Sequence, residues 1–302
     1  MGAARRNFLK KGLVYLLARA AAAFLFLLPV EIGVFLGGCL GSLAFFLLPK
    51  HRLQTLNNLR YAFGAQKSEK EIYKIAKEVF RNLGKSAAEF VNFPKITSSN
   101  IDSYIVARGI EKIDSALKEK KGAIMLGCHL GNWELEGAYF GLKGYPINVI
   151  VRPSRYEKFD NLINSARRSK NVNIIPREHS FKKVISVLKA NQLVGILPDQ
   201  DIDSIDGVFV DFFAKKAYTP TGPVLLAIAS GSPVFPVFCI RQNGTHRLII
   251  EDPIDLEITG DREKDVLINT QKWSAIIERY IREYPGQWVW MHRRWKTQQK
   301  QV

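Results

Sequence analysis

The stretch Gly127-Cys128-His129-Leu130-Gly131-Asn132-Trp133-Glu134 puts an imidazole at the end of an apolar run and a carboxylate five residues later. Positions five apart do not share a helix face, so the two side chains meet only if the chain turns between them. Gly131 and Asn132 supply a turn and an N-cap, which starts a helix at Trp133 and sets Glu134 in its first turn. There the helix dipole favours the ionised carboxylate, which can hold one ring nitrogen protonated and leave the other free to accept a proton. No nucleophilic serine stands between them. The pair therefore suits direct attack by a substrate hydroxyl, with His129 as general base and Glu134 as its orienting partner. Cys128, beside the histidine, reads more simply as a small buried residue ending a strand than as a nucleophile.

A layered fold would position such a pair. After 123–128 comes a helical pattern over 133–142, and short apolar strands go on alternating with helices: 148–151 then 156–169, 172–175 then 181–190, 193–197, 208–212, 220–230 and 234–240. This order predicts an α/β domain with a mixed or mainly parallel sheet flanked by helices. A strand over 247–250 and a long helix over 264–283 complete it. Ser68 and Glu71 form a capping box ahead of Ile72, Ala76, Val79, Phe80 and Leu83 at helical spacing. The tail holds Trp288, Trp290 and Trp295 among His292, Arg293, Arg294 and Lys296. It fits either an interfacial anchor or an element closing the core.

From 12 to 49 the chain is almost wholly apolar, with basic residues on both flanks: Arg5, Arg6, Lys10 and Lys11 before it, Lys50, His51 and Arg52 after it. The run is too long for a signal-peptide core. Arms of 13–29 and 32–48 fit a helical hairpin, a single tilted interfacial helix, or a helical pair packed on the globular part. The expected division is a membrane-associated segment over 1–52 and a catalytic domain over 53–302.

The 302 residues carry 44 Lys and Arg against 28 Asp and Glu, a net charge of +16 that attracts an anionic partner. Nucleic acid is disfavoured, because no zinc-finger spacing, RRM-like aromatic pair or compact basic run appears outside the apolar flanks. Three dispersed cysteines make neither a disulfide framework nor a metal knuckle. A metal is not expected, and a G-x-S-x-G hydrolase elbow is missing.

The motif resembles the H-x(4)-D/E pattern of the glycerolipid acyltransferase superfamily, and its surroundings resemble the bacterial lipid A biosynthesis acyltransferases, the lauroyl and myristoyl transferases. The blocks that carry the likeness are GCHLGNWELE at 127–136, Val151-Arg152-Pro153, Leu197-Pro198-Asp199-Gln200-Asp201, GVFVDFF at 207–213, AYTPTGP at 217–223 and WVWMHRRWK at 288–296. The resemblance implies transfer of a fatty acyl group from acyl carrier protein to a hydroxyl of a lipid A precursor, on the cytoplasmic side of the bacterial inner membrane. It implies His129 as base with Glu134, and an acyl thioester as co-substrate with no resident cofactor. Arg152 is then a candidate for stabilising the oxyanion or binding an acceptor phosphate, with an exposed strand-end arginine as the plainer reading. Asn132 is a further candidate at the oxyanion, and Asp199, Gln200 and Asp201 are candidates for positioning sugar hydroxyls. Two other readings remain: acyl-CoA-dependent acylation of another membrane glycolipid or aminolipid, and a non-catalytic protein that binds anionic lipid.

Overall fold

The computed structural model describes Gly12, Leu16 and residues 18–299, with Ala65, Arg155 and His179 excepted. The basic cluster from Arg5 to Lys11 and the start of the expected first arm lie outside them. The N-terminal part is helical: α1 (Ala18–Leu27), α2 (Val30–Leu47), α3 (Pro49–Phe63) and α4 (Glu69–Val91). The break between α1 and α2 falls at Pro29, whose ring fixes φ and removes an amide donor. Among the described residues, α2 is the one helix long and apolar enough to cross a membrane. Phe35, Leu40, Leu43, Phe46 and Leu47 stay exposed on it, as does Cys39.

The opposite edge of α2 packs antiparallel on α4 with almost no spacing. A Cβ on Gly84 would come within 2.1 Å of the Gly37 carbonyl oxygen, and one on Gly41 within 2.2 Å of the Phe80 carbonyl oxygen. Only bare backbone allows this approach. The packed helical pair therefore describes one edge of α2, and the rest of its apolar surface has no cover among the described residues. At the start of α4 the expected capping box is formed. The Ser68 amide donates to Glu71 Oε2 at 2.8 Å and the Glu71 amide donates to Ser68 Oγ at 3.4 Å, a cap worth about 1 kcal/mol.

Then the chain alternates: α5 (Ile101–Tyr104), β1 (Ile105–Arg108), α6 (Ile110–Lys118), β2 (Ala123–Leu126), α7 (Trp133–Leu142), β3 (Ile147–Val151), α8 (Glu157–Arg168), β4 (Asn173–Pro176), α9 (Phe181–Lys189) and β5 (Leu193–Ile196). There follow β6 (Gly207–Phe212), β7 (Lys215–Pro220), α10 (Gly222–Ser230), β8 (Val234–Gln242), β9 (Thr245–Ile250) and α11 (Arg262–Glu283). Seven strands form one sheet in the order β1-β9-β8-β2-β5-β3-β4, parallel except for the β8–β9 pair. Its middle strands are buried on both faces, as parallel strands under helices must be. Ile124, Leu126 and Val194 face a core shared with α4, α9, α10 and α11, whereas Ala123, Met125 and Leu193 face one shared with α6 and α7.

Two features differ from, or decide between, the sequence expectations. The 208–212 strand does not join the sheet; β6 pairs with β7 in a separate antiparallel hairpin. The tail closes the core: Trp288 and Trp290 are fully buried, and so is Arg294, which donates to the Tyr218 carbonyl oxygen and Thr219 Oγ1, each at 2.6 Å.

Candidate active site

β2 and β5 lie side by side and in parallel, so the residues leaving their C-terminal ends emerge together, where open α/β sheets place their ligand sites. His129 follows β2 and Asp199 follows β5. The imidazole Nδ1 lies 2.7 Å from Asp199 Oδ1, and the other carboxylate oxygen accepts from the His129 amide at 2.9 Å and from the Trp288 indole at 2.8 Å. Burial works to raise the Asp199 pKa, but the charge and hydrogen bonds of His129, with His292 nearby, hold it well below the usual carboxylate range. An ionised carboxylate only accepts, so Nδ1 carries the proton and Nε2 is the free lone pair. Burial likewise works to lower the His129 pKa, and the neighbouring Asp199 charge overrides it and raises it. The ring remains 22% exposed along its side chain, enough to meet a substrate.

The partner expected for His129 is thus displaced. Glu134 is in the first turn of α7 as read from the sequence, but its carboxylate forms a two-pronged ion pair with Arg167 of α8. Arg167 Nε donates at 2.8 Å and Nη2 at 2.5 Å. The carboxylate on Nδ1 is Asp199 instead, since the strand order brings β5, not the following helix, to that side of the ring. Trp133 packs edge-on to the imidazole at 5.1 Å between centroids.

The other candidates divide. Asn132 caps α7 as expected, accepting from the Leu135 amide at 3.0 Å. Its Nδ2 donates to Glu89 of α4 at 2.6 Å, so both ends of the amide are engaged and it is not turned toward an oxyanion. Glu89 also pairs with Arg241 of β8, and the guanidinium and hydrogen bonds overcome burial to lower the Glu89 pKa. Gln200 brings Nε2 to 3.5 Å from each ring nitrogen, the outer edge of hydrogen bonding. Both Asp201 oxygens are engaged by the tail: they accept from the amide and hydroxyl of Thr297, each at 2.8 Å. The Asp199 carboxylate is equally committed, to His129 and Trp288. Arg152 is exposed beyond β3, and among the described residues it has no hydrogen bond or ion pair to this group, whereas Arg167 pairs with Glu134 of the motif. Burial pushes the Cys128 thiol well up, against a nucleophile.

The turn between His129 and α7 is pinned from two sides. Gly131 donates to the Gln287 carbonyl and Asn132 to that of Cys239, at 3.0 and 2.9 Å, and Val289 donates to the His129 carbonyl at 3.0 Å. Gly131 has φ +66°, and a Cβ there would stand 2.0 Å from the Cys239 carbonyl oxygen, so glycine is required. Beside the turn a narrow cleft opens between α7 and the sheet. Glu134 and Arg167 sit at one part of its wall, and Met125, Trp133, Phe140, Ile147, Ile150 and Leu197 make it largely apolar. Among the described residues, no three His, Cys, Asp or Glu side chains converge as metal ligands do.

Arg167 was not singled out from sequence, and Trp288 was read only as part of the tail; nothing in the spacing ties it or a helix-end arginine to the motif.

An imidazole held by a buried carboxylate beside an apolar cleft is the setting on which the likeness to known proteins bears. The family model described as bacterial lipid A biosynthesis acyltransferase matches residues 3–297. The lipid A biosynthesis lauroyltransferase of Escherichia coli (strain K12) is 29% identical over 279 residues, 91% of this chain and 89% of its own length. The palmitoleoyltransferase of the same organism is 27% identical over 273 residues, covering 89% and 87%. A phosphatidylinositol mannoside acyltransferase of Mycolicibacterium smegmatis is 23% identical over 211 residues, 68% of this chain and 67% of its own. With a match spanning nearly every residue and both strand ends of the site inside it, the chain belongs to the bacterial lipid A biosynthesis acyltransferase family and is an acyltransferase.

Proposed function

We propose that the chain transfers a fatty acyl group from acyl carrier protein to a hydroxyl of a lipid A precursor, with His129 as general base. The observation that carries the reading is the His129–Asp199 pair, protonated on Nδ1, standing beside an apolar cleft. The acceptor hydroxyl gives its proton to Nε2 as its oxygen attacks the thioester carbonyl; the C–O bond forms and the carbonyl oxygen takes up negative charge. The Asp199 carboxylate stabilises the imidazolium this creates. Collapse of the intermediate breaks the C–S bond, and Nε2–H returns the proton to the departing thiolate. Ester and free carrier thiol result. The Trp133 and Glu134 amides at the start of α7 have no intrahelical partners and, with the helix dipole, suit the oxyanion. Glu134 and Arg167 act together at the cleft wall, Glu134 fixing the guanidinium where the polar part of a substrate enters.

α2 supports a membrane setting. Gly38 packs against Lys85 of α4, and Lys77 lies over the Phe46 ring at 5.7 Å, so cations run alongside the apolar helix. Lys95 lies over Phe26 at 4.8 Å near the other end. Such flanking supports α2 lying in the interface, and in this reading the catalytic domain stands on the cytoplasmic side. Acyl carrier protein, an acidic donor, would be steered by the same net charge of +16.

The test is transfer from labelled acyl carrier protein to a lipid A precursor in membranes, with wild type and His129→Ala, over a salt series. Transfer lost by about 10²–10⁴-fold in the variant supports the base. A rate from acyl carrier protein falling steeply with salt, where acyl-CoA supports little transfer, supports the donor. Acylation of a mannosylated lipid in place of the precursor would keep the chemistry and overturn the acceptor.

A further inference from the structure

The cleft wall holds one polar group that the transfer chemistry leaves unused. Glu136 lies on α7, three residues after Trp133 and thus on the same side of the helix. It is 8% exposed and lines the cleft with Met125, Phe140, Ile147 and Leu197. Glu134, two residues earlier, is neutralised by Arg167. Among the described residues, the Glu136 carboxyl has neither a hydrogen bond nor an ion pair. Its surroundings are the bare Cα of Gly127, where a Cβ would meet Oε1 at 3.3 Å and the Val237 carbonyl oxygen at 3.5 Å, the Cys128 and Cys239 thiols, which its charge would reach, and apolar side chains. Burial, with no opposing charge, pushes its pKa up to about 8. Near neutral pH it is therefore mostly the neutral acid, with one O–H to donate and a carbonyl oxygen to accept.

A buried polar group without a partner is destabilising, and leucine or methionine would fill the same place without that penalty. A carboxyl kept at the wall of an apolar cleft is the arrangement of a site that reads one polar atom on an otherwise apolar ligand. We propose that Glu136 recognises a hydroxyl on the fatty acyl chain near its thioester end, so that the cleft takes a hydroxylated acyl group in preference to an unsubstituted one. This rests on the acyl-transfer reading above. The Glu136 O–H donates to the chain hydroxyl, and that hydroxyl donates back to the carboxyl oxygen. The position along the chain rests on Gly127, whose missing Cβ would lie beside the carboxyl and which precedes His129 by two residues, at most about 7 Å of backbone. A substituent meeting Glu136 is then within the first few carbons from the reacting carbonyl. An unsubstituted chain covers the carboxyl and leaves it unpaired, a discrimination of roughly 5- to 150-fold.

The experiment uses the full chain in detergent with 3-hydroxydodecanoyl and dodecanoyl acyl carrier protein in competition, for wild type, Glu136→Gln and Glu136→Leu. In parallel, calorimetry measures binding of the two free fatty acids. Wild type should favour the hydroxylated chain by at least about 5-fold. Glu136→Gln, which keeps a donor and an acceptor, should retain the preference, and Glu136→Leu should lose or reverse it. Equal use of both chains by wild type, or a preference unchanged in Glu136→Leu, overturns the role of Glu136 while leaving acyl transfer intact. If neither thioester is used, the acyl-transfer reading fails by itself, and the binding preference still decides for or against Glu136.

Discussion

Replacing Asp199 by asparagine separates the observed His129 partner from the one the motif alone suggests. In the native site one carboxylate oxygen accepts two N–H groups, from the His129 backbone and Trp288, while the other faces Nδ1. An asparagine oxygen satisfies the two donors only by facing them, because turning the amide leaves two buried donors against an NH₂, at about 1–3 kcal/mol each. The NH₂ then points at Nδ1, which must accept, so the ring proton moves to Nε2, the atom that has to take the acceptor's proton. We expect kcat to fall about 10³–10⁴-fold, or roughly 4–5.5 kcal/mol of barrier. The pH profile carries a second signature. The base must be neutral, so activity rises with pH through the raised His129 pKa. Without the carboxylate, burial and the Arg167 charge act to lower the ring pKa against Glu134 alone, and the acid limb moves to lower pH. The assay is kcat and kcat/KM for acyl transfer from pH 5 to 9, with thermal unfolding to confirm that the variant is folded. A folded Asp199→Asn that loses less than tenfold, or whose acid limb stays in place, refutes the arrangement.

Other perturbations test the supporting parts. Glu134→Gln and Arg167→Met should each impair transfer, and the double variant should be little worse than either, with a coupling of about 0.5–3 kcal/mol in a double-mutant cycle; simple additivity would count against a joint role. Glu89→Gln leaves the Arg241 guanidinium buried without its counter-charge, so denaturant unfolding in detergent should show a loss of about 3–5 kcal/mol, and a loss under 1 kcal/mol would contradict the ion pair. Gly131→Ala forces a side chain against the Cys239 carbonyl and should reduce transfer by about 10²-fold through displacement of His129, measured beside a circular dichroism check that the sheet is retained.

What was readable in the sequence is what local rules govern. The Ser68–Glu71 box, the Asn132 cap and the placement of His129 at a strand end each depend on residues within a few positions. The carboxylate on Nδ1 does not: Asp199 is 70 residues from His129 and reaches it only because β5 slots in beside β2 ahead of β3. Arg167 is 33 residues from Glu134 and arrives through the α7–α8 packing. The β6–β7 hairpin escaped notice for a different reason. Phe213 and Ala214 turn it with φ of 55° and 54°, values that usually call for Asn or Gly, so the usual composition signal was missing. The fold class was legible because alternating strand and helix patterns admit few arrangements, whereas the tail was balanced between two readings until the burial of Trp288 and Trp290 decided it.

The three cysteines offer an experimental handle. Cys128 and Cys239 are sealed in the core with thiols held protonated, and Cys39 stands on the exposed apolar face of α2. A maleimide fluorophore added to the unmodified folded protein should attach at one position, with no substitutions to make. Quenching of that dye by spin-labelled lipids at graded depths then reports how far α2 sinks into a bilayer, and a second attachment site opening would serve as an early sign that the core has begun to loosen.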